Sequence, residues 1–346
     1  MKSETIILRL PNWIGDVVMA TPTLRALRAS FPRGHIMALG KPWAGELLAD
    51  HPSLDEVFTY PFQKKNSALT AKFQLLAAVK ERRPSWGLLF PNSLSSALLF
   101  FLAGVPERVG YLTAGRGPFL NHGLQPPPPP VPLVDYYLGL MKGFSLDRDW
   151  ERSLYLPAAK ETKEKAEHLW KSWGIEAGER IVGLNPGATW GRSKRWLPER
   201  FAEVGDLFAR ESGARIVLFG SREEVGLVET VAQMMRAPSL VLAGKDDLRL
   251  LPALFSRCDL LVTNDTGPMH IAASQGVPLV VLFGPTDPGQ TAHYDENTKV
   301  IMKELYCAPC FKRECPYKHH ECMVGISARE VFGAGMELLT RTREKK

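Results

Sequence analysis

Apolar, β-branched runs alternate with helix-patterned segments along this chain, and they do so twice over. That alternation restricts the fold more than any other feature. TIILRL (5–10), HIMALG (35–40), EVFTY (56–60) and WGLLF (86–90) read as strands in the first half. RIVGLNPG, ARIVLFGS, SLVLAG, CDLLVTND and PLVVLFGP read as strands in the second. Helical patterns fill the gaps, among them 198–212, 222–235, 247–257 and 268–275, and a helix is also predicted over 134–144. Near-continuous apolar strands joined through helices form parallel sheets covered on both faces. The expectation is an α/β chain of two Rossmann-like domains, 1–150 and 151–326, whose parallel sheets face across a cleft. A C-terminal helix over 327–346 is free to pack back on the first domain.

The proline run QPPPPPVP (125–132) interrupts the alternation. Such a segment is extended and stiff, which suits a linker or hinge. At 346 residues and 45% hydrophobic, the chain can bury two large cores. Its longest apolar stretch, ALLFFLAGV (97–105), falls short of the roughly 20 residues that span a bilayer and reads as a buried helix. The N-terminus enters a strand directly, without an apolar signal segment, so the expectation is a cytoplasmic protein. Residues 1–150 carry 16 Lys/Arg against 11 Asp/Glu, whereas 151–346 carry 27 against 26. The excess in the first half suits a phosphorylated glycolipid, a membrane surface or nucleic acid.

In open α/β sheets, ligands sit at the carboxyl ends of strands, so the loops there carry the information. NWIGD (12–16) is laid out as a phosphate-binding turn, yet Asp16 stands where an anion would be repelled. NPGATWGRSKRW (185–196) offers two glycines, the hydroxyls of Thr189 and Ser193, and the cations Arg192, Lys194 and Arg195. GSREE (220–224) places Glu223 and Glu224 at a helix start. TNDTGPMHIAASQG (263–276) opens a helix with Asp265, Thr266 and Gly267, and His270 follows one turn in. A helix N-terminus presents unpaired N–H groups and a positive dipole end. With Lys194 beside it, the second half is built for a diphosphate. Asp16, on the other domain, either caps its helix or takes a proton from a hydroxyl that attacks the donor.

PNWIGD, NPGATWGRSKRW, NDTGPMHIAA, FGPTDP and CAPCFKRECPYKHHECM together resemble the type II lipopolysaccharide heptosyltransferases of glycosyltransferase family 9. These are inverting enzymes of the GT-B fold, and the resemblance covers nearly the whole chain. It implies transfer of L-glycero-D-manno-heptose from ADP-heptose to the first heptose of the inner core, at the cytoplasmic face of the inner membrane. It implies Asp16 as general base and Lys194 as the neutraliser of departing ADP. Donor contacts are implied at Thr189, Ser193, Lys194, Gly244, Asp265, Thr266, Gly267 and His270, and ribose binding at Glu223 or Glu224. Acceptor contacts are expected at Asn12 and Trp13, and, from charge and loop placement, at Lys64, Lys65 and Arg116. The partners expected are ADP-heptose, heptosyl-Kdo2-lipid A and the membrane surface, not nucleic acid.

Cys258 begins a strand and reads as a small buried hydrophobe. Cys307, Cys310, Cys315 and Cys322 crowd together with His319 and His320. Their spacing lacks the second close pair of a zinc module, and the resemblance implies no bound metal. No cofactor is expected to be required; magnesium stays open and structural zinc is disfavoured. Two-domain sugar-nucleotide epimerases share the architecture, but the NWIGD and SKRW loops argue against them. No G-x-G-x-x-G supports an oxidoreductase. A sugar- or nucleic-acid-binding protein would leave base and anion site unused.

Overall fold

The computed structural model describes residues 4–59, 68–245, 247–293 and 295–344. The chain divides into two compact units between Leu156 and Pro157. The first unit contains β1 (Thr5–Arg9), α1 (Ile14–Met19), α2 (Thr21–Ser30), β2 (His35–Gly40), α3 (Pro42–Leu47), β3 (Glu56–Thr59) and α4 (Ala68–Glu81). It continues with β4 (Trp86–Leu89), α5 (Leu94–Leu102), β5 (Glu107–Tyr111), β6 (His122–Leu124) and α6 (Leu133–Leu138), which runs into a 3-10 turn over Gly139–Phe144.

The second unit begins with α7 (Lys160–Ser172), β7 (Ile181–Asn185), α8 (Pro198–Ser212), β8 (Arg215–Leu218), α9 (Val225–Met234), β9 (Ser239–Val241) and α10 (Leu251–Phe255). Then follow β10 (Leu260–Asn264), α11 (Gly267–Ser274), β11 (Leu279–Phe283), α12 (Pro288–Thr291), β12 (Thr298–Met302), α13 (Glu321–Val324) and α14 (Ala328–Glu344).

Each unit holds one parallel six-stranded sheet, ordered β3-β2-β1-β4-β5-β6 in the first and β12-β11-β10-β7-β8-β9 in the second. Counted from its own first strand, each sheet follows the same doubly wound order. The chain reverses direction between β1 and β4, and again between β7 and β10. In such sheets the crevice for a ligand opens where the order reverses, because the two flanking loops diverge to opposite faces. All five residues of β7, β10 and β11 are buried, which explains their unbroken apolar sequences. β1 is held from both sides: Leu8 pairs with Ala38 of β2 and with Leu88 of β4.

Three features depart from the sequence reading. The proline run lies between β6 and α6, inside the first unit as drawn, and the units divide after Leu156, a few residues beyond the expected 150. The helix expected over 247–257 shrinks to α10, because the Asp247 side chain accepts from the Leu250 N–H at 2.8 Å and holds the preceding residues in turns. The apolar segment predicted as a buried helix forms α5, whose outer face leaves Leu94, Phe101 and Leu102 exposed. α14 packs along α8 and against β10, β11 and β12, as part of the second unit's own core.

Candidate functional site

At the reversal point of the second unit, Asn264 ends β10 and ties the two loops together. Its amide donates to the carbonyls of Pro186 (2.9 Å) and Gly187 (3.2 Å), and its oxygen accepts from the Trp196 N–H at 3.0 Å. This stitching sets Lys194 against the start of the β10–α11 loop. Lys194 Nζ donates to Asp265 Oδ2 at 2.5 Å, and Thr286 Oγ1, arriving from the loop after β11, donates to the same oxygen at 2.6 Å. The pair is well covered, with side-chain exposures of 12% and 4%. Two of the three ammonium protons remain for a ligand. The expected Lys194–Asp265 juxtaposition is therefore present, but as an ion pair that cancels most of the cation's charge.

Thr266 sits as the N-cap of α11 without a side-chain capping bond, and Gly267 opens the helix. His270 is buried one turn in, its Nδ1 lacking a hydrogen-bond partner. Burial first, then His293 and Lys194, hold its imidazole well below the ordinary histidine range, so the ring is neutral. His293, unremarked in the sequence, lies with its ring centroid 5.9 Å away.

The two glutamates separate. Glu223 is exposed; Glu224 is buried and forms a capping box with Ser221, whose N–H and hydroxyl donate to Glu224 Oε2 at 3.1 and 3.0 Å. Its carboxylate lies on the β7 loop so closely that a Cβ at Gly187 would fall 2.3 Å from it, and Oε1 has no hydrogen-bond partner. Arg195 approaches Oε1 to 4.0 Å. Gly244 closes the turn after β9, its N–H donating to the Gly220 carbonyl at 3.1 Å. Thr189 is exposed on the loop.

Ser193 requires a correction. It is buried, and its hydroxyl donates to the Lys312 carbonyl at 2.5 Å while its N–H donates to the Arg313 carbonyl at 3.1 Å. The Ser193 carbonyl in turn lies 2.8 Å from His320 Nε2. Its polar atoms are committed to the Cys-rich segment and not to a ligand. Cys307, Cys310, Cys315 and Cys322 of that segment are free thiols that line one small cavity with His319 and His320. Burial and the other three cysteines push the Cys322 thiol up to about 11. Among the described residues, no group of three or more His, Cys, Asp or Glu side chains is arranged to hold a metal ion.

In the first unit, the loop after β1 carries Asn12 and Trp13, both exposed, and Asp16 falls in the first turn of α1. The N-cap is Trp13, so Asp16 is not the capping residue. Burial first, then the nearby Asp16 carboxylate and Tyr136, raise the Tyr137 phenol well above its usual range. Arg9 is buried below the turn, donating to Leu10 O at 2.7 Å and Asn12 Oδ1 at 3.0 Å. Lys41 lies 5.7 Å from the Trp13 ring centroid, and burial followed by Arg9 lowers its pKa. Neither cation stood out in the sequence, because each is single and unpatterned.

Arg116 also requires a correction. It is fully buried and donates to the carbonyls of Tyr111 (2.7 Å) and Pro91 and to Asn92 Oδ1 at 3.1 Å. Its fork fastens the loops after β4 and β5 and has no surface for a phosphate. Lys64 and Lys65 lie outside the described residues.

The family model for glycosyltransferase family 9 (heptosyltransferase) matches residues 73–321. The chain belongs to glycosyltransferase family 9. As a family 9 member it is a glycosyltransferase of the α/β GT-B class, and the epimerase, oxidoreductase and simple binding readings are not favoured. A curated relative, the lipooligosaccharide heptosyltransferase 2 of Haemophilus influenzae, is 30% identical over 351 residues, covering 97% of this chain and 99% of the relative. The solved ADP-heptose lps heptosyltransferase II of E. coli matches with a TM-score of 0.82 at 25% identity, over 98% of this chain and 99% of that one. A family 9 glycosyl transferase from Veillonella parvula matches with a TM-score of 0.86 at 25% identity, over 98% and 97%.

Proposed function

We propose that this family 9 enzyme transfers heptose from ADP-heptose to the first heptose of a lipopolysaccharide inner core, with inversion. The observation that carries the reading is the Lys194–Asp265–Thr286 cluster at the reversal point of the second sheet. An acceptor hydroxyl oxygen bonds to C1 of the donor sugar, and the bond from C1 to the ADP oxygen breaks. The electron pair leaves with ADP, where the free protons of Lys194 and the start of α11 meet the charge. The acceptor's proton passes to Asp16. Neutral His270 offers hydrogen bonding without adding charge. The test is release of ADP from ADP-heptose in the presence of heptose-bearing, but not heptose-free, core acceptor. Turnover should be unaltered by a chelator, since the reading assigns the leaving-group charge to side chains. No ADP release with that acceptor would overturn it.

Glu224, and not Glu223, is the ribose contact in this reading, because its carboxylate is the one lying against the Lys194-bearing loop. Glu224→Ala should weaken ADP binding about tenfold or more and lower the melting temperature through loss of the cap. Glu223→Ala should leave both unchanged. Calorimetric ADP titration of the two variants decides it, and the reverse ranking would transfer the role to Glu223.

A lipid-borne acceptor requires contact with a membrane surface at the cytoplasmic face. Among the described residues no helix is long and apolar enough to cross a membrane. We assign the contact to α5, where Leu94, Leu98, Phe101 and Leu102 follow helical spacing and Leu94, Phe101 and Leu102 are exposed. Neighbouring α4 adds exposed Phe73 and the exposed cations Lys72 and Lys80, which suit anionic lipid. The protein should co-sediment with phosphatidylglycerol vesicles more than with phosphatidylcholine vesicles, and Phe101→Glu/Leu102→Glu should abolish it. Equal sedimentation of this variant, or a concentration-dependent dimer lost in it, would assign the face elsewhere.

A further inference from the structure

The Cys-rich segment is the one sequence motif that the proposed reaction leaves without a task, and its contacts with the donor loop are specific. Three hydrogen bonds join it to Ser193, whose hydroxyl and N–H donate to the Lys312 and Arg313 carbonyls and whose carbonyl meets His320 Nε2. Gly191 abuts the same strand of chain: a Cβ there would fall 2.5 Å from the Arg313 carbonyl oxygen and 2.7 Å from its Cα. No side chain fits, so the approach of the two backbones is fixed by the glycine. A fourth bond, from the Phe311 N–H to the Pro285 carbonyl at 2.7 Å, fastens the segment to the residue before Thr286. The segment therefore grips both loops whose side chains converge on Asp265.

This grip delivers a second cation. The Arg313 guanidinium carbon lies 6.0 Å from the Trp190 ring centroid, and Lys194 Nζ lies 5.1 Å from the same centroid. Arg313 is exposed, and its guanidinium makes no ion pair or hydrogen bond among the described residues. Lys194, by contrast, spends most of its charge on Asp265, which is itself an anion at the helix start meant to receive anions. A diphosphate facing that neutral pair draws no net counter-charge from it, Arg195 is turned toward Glu224, and Arg192 is the one other cation of this loop, exposed beside them. Arg313 supplies what is missing, in the planar two-donor form that matches phosphate oxygens.

We propose that Arg313, carried in by the Cys-rich segment, is a binding residue of the donor site that holds the diphosphate of a nucleoside diphosphate beside Lys194. The segment is thus the frame that brings an arginine to the leaving group. The assignment rests on the nucleotide-donor reading above.

The experiment compares adenosine, AMP and ADP binding by calorimetry to the wild-type chain, Arg313→Ala, Arg313→Lys and Lys318→Ala. Lys318 is an exposed cation of the same segment with no part in the site. Arg313→Ala should weaken ADP about tenfold to a hundredfold, the scale for losing a charge-assisted bond, and leave adenosine unchanged. Arg313→Lys should recover part of the loss, and Lys318→Ala should bind ADP as the wild type does. Because the side chain is exposed, the melting temperature of Arg313→Ala should stay at the wild-type value. Undiminished ADP binding in Arg313→Ala overturns the assignment, as does an equal loss for adenosine or for Lys318→Ala. A wild-type chain that binds no ADP overturns the donor reading, and this assignment with it.

Discussion

Asp16→Asn should lower turnover by about 10² to 10⁴ while leaving ADP affinity and melting temperature near their wild-type values. The substitution keeps the size and the acceptor oxygen of the side chain and removes only its capacity to take a proton. A structural role at the start of α1 would survive it, since Asn serves helix starts about as well as Asp. The N-cap of α1 is in any case Trp13. A single-turnover measurement with saturating donor isolates the chemical step from release of ADP. If the variant turns over at the wild-type rate, Asp16 is no base and the proton has another destination.

Lys194→Ala should also cut turnover strongly, by about 10² to 10³, the scale for losing one preorganised charge contact in the transition state. Unlike Asp16→Asn, it should destabilise the fold. It strands the Asp265 carboxylate, 4% exposed, with Thr286 as its remaining side-chain donor, and breaking one side of a buried pair costs about 3–5 kcal/mol. The two effects can be pulled apart. In Lys194→Ala/Asp265→Asn the stranded charge is gone, so the melting temperature should recover while turnover stays low. Recovery of turnover along with stability would reduce Lys194 to a structural partner of Asp265.

The parallel sheets were legible in the sequence because strands such as LLVTN and LVVLF are buried along their whole length and leave no polar interruption. β5, β6 and β12 were not. ERVGY begins with two charges, HGL is three residues with a central glycine, and TKVIM begins with Thr and Lys. The loops after β7 and β10 were legible as a set that meets at one point of the second sheet, since glycines, hydroxyls and cations cluster at these strand ends. What each side chain does there was not. Ser193 is committed to Lys312, 119 residues away, and Lys194 to Asp265, 71 residues away, pairings that no local pattern encodes. Arg116 misled for the same reason: a loop arginine reads as a surface cation until the carbonyls that surround it are known.

The shared strand order of the two sheets has an evolutionary corollary. Each half carries its strand-end loops on its own sheet, and each sheet has a hydrophobic core of its own. Changes in the turn after β1 and changes in the loops after β7 and β10 therefore fall on separate stretches of the gene and disturb separate hydrophobic cores. Under the proposed division of labour, selection for a new sugar acceptor and selection for a new activated sugar can proceed without either undoing the other. The Cys-rich segment is the exception, for it is anchored to the loop after β7 and to the loop after β11 at once. Mutations there are coupled to both loops by construction, and the segment should drift more slowly than the rest of the surface.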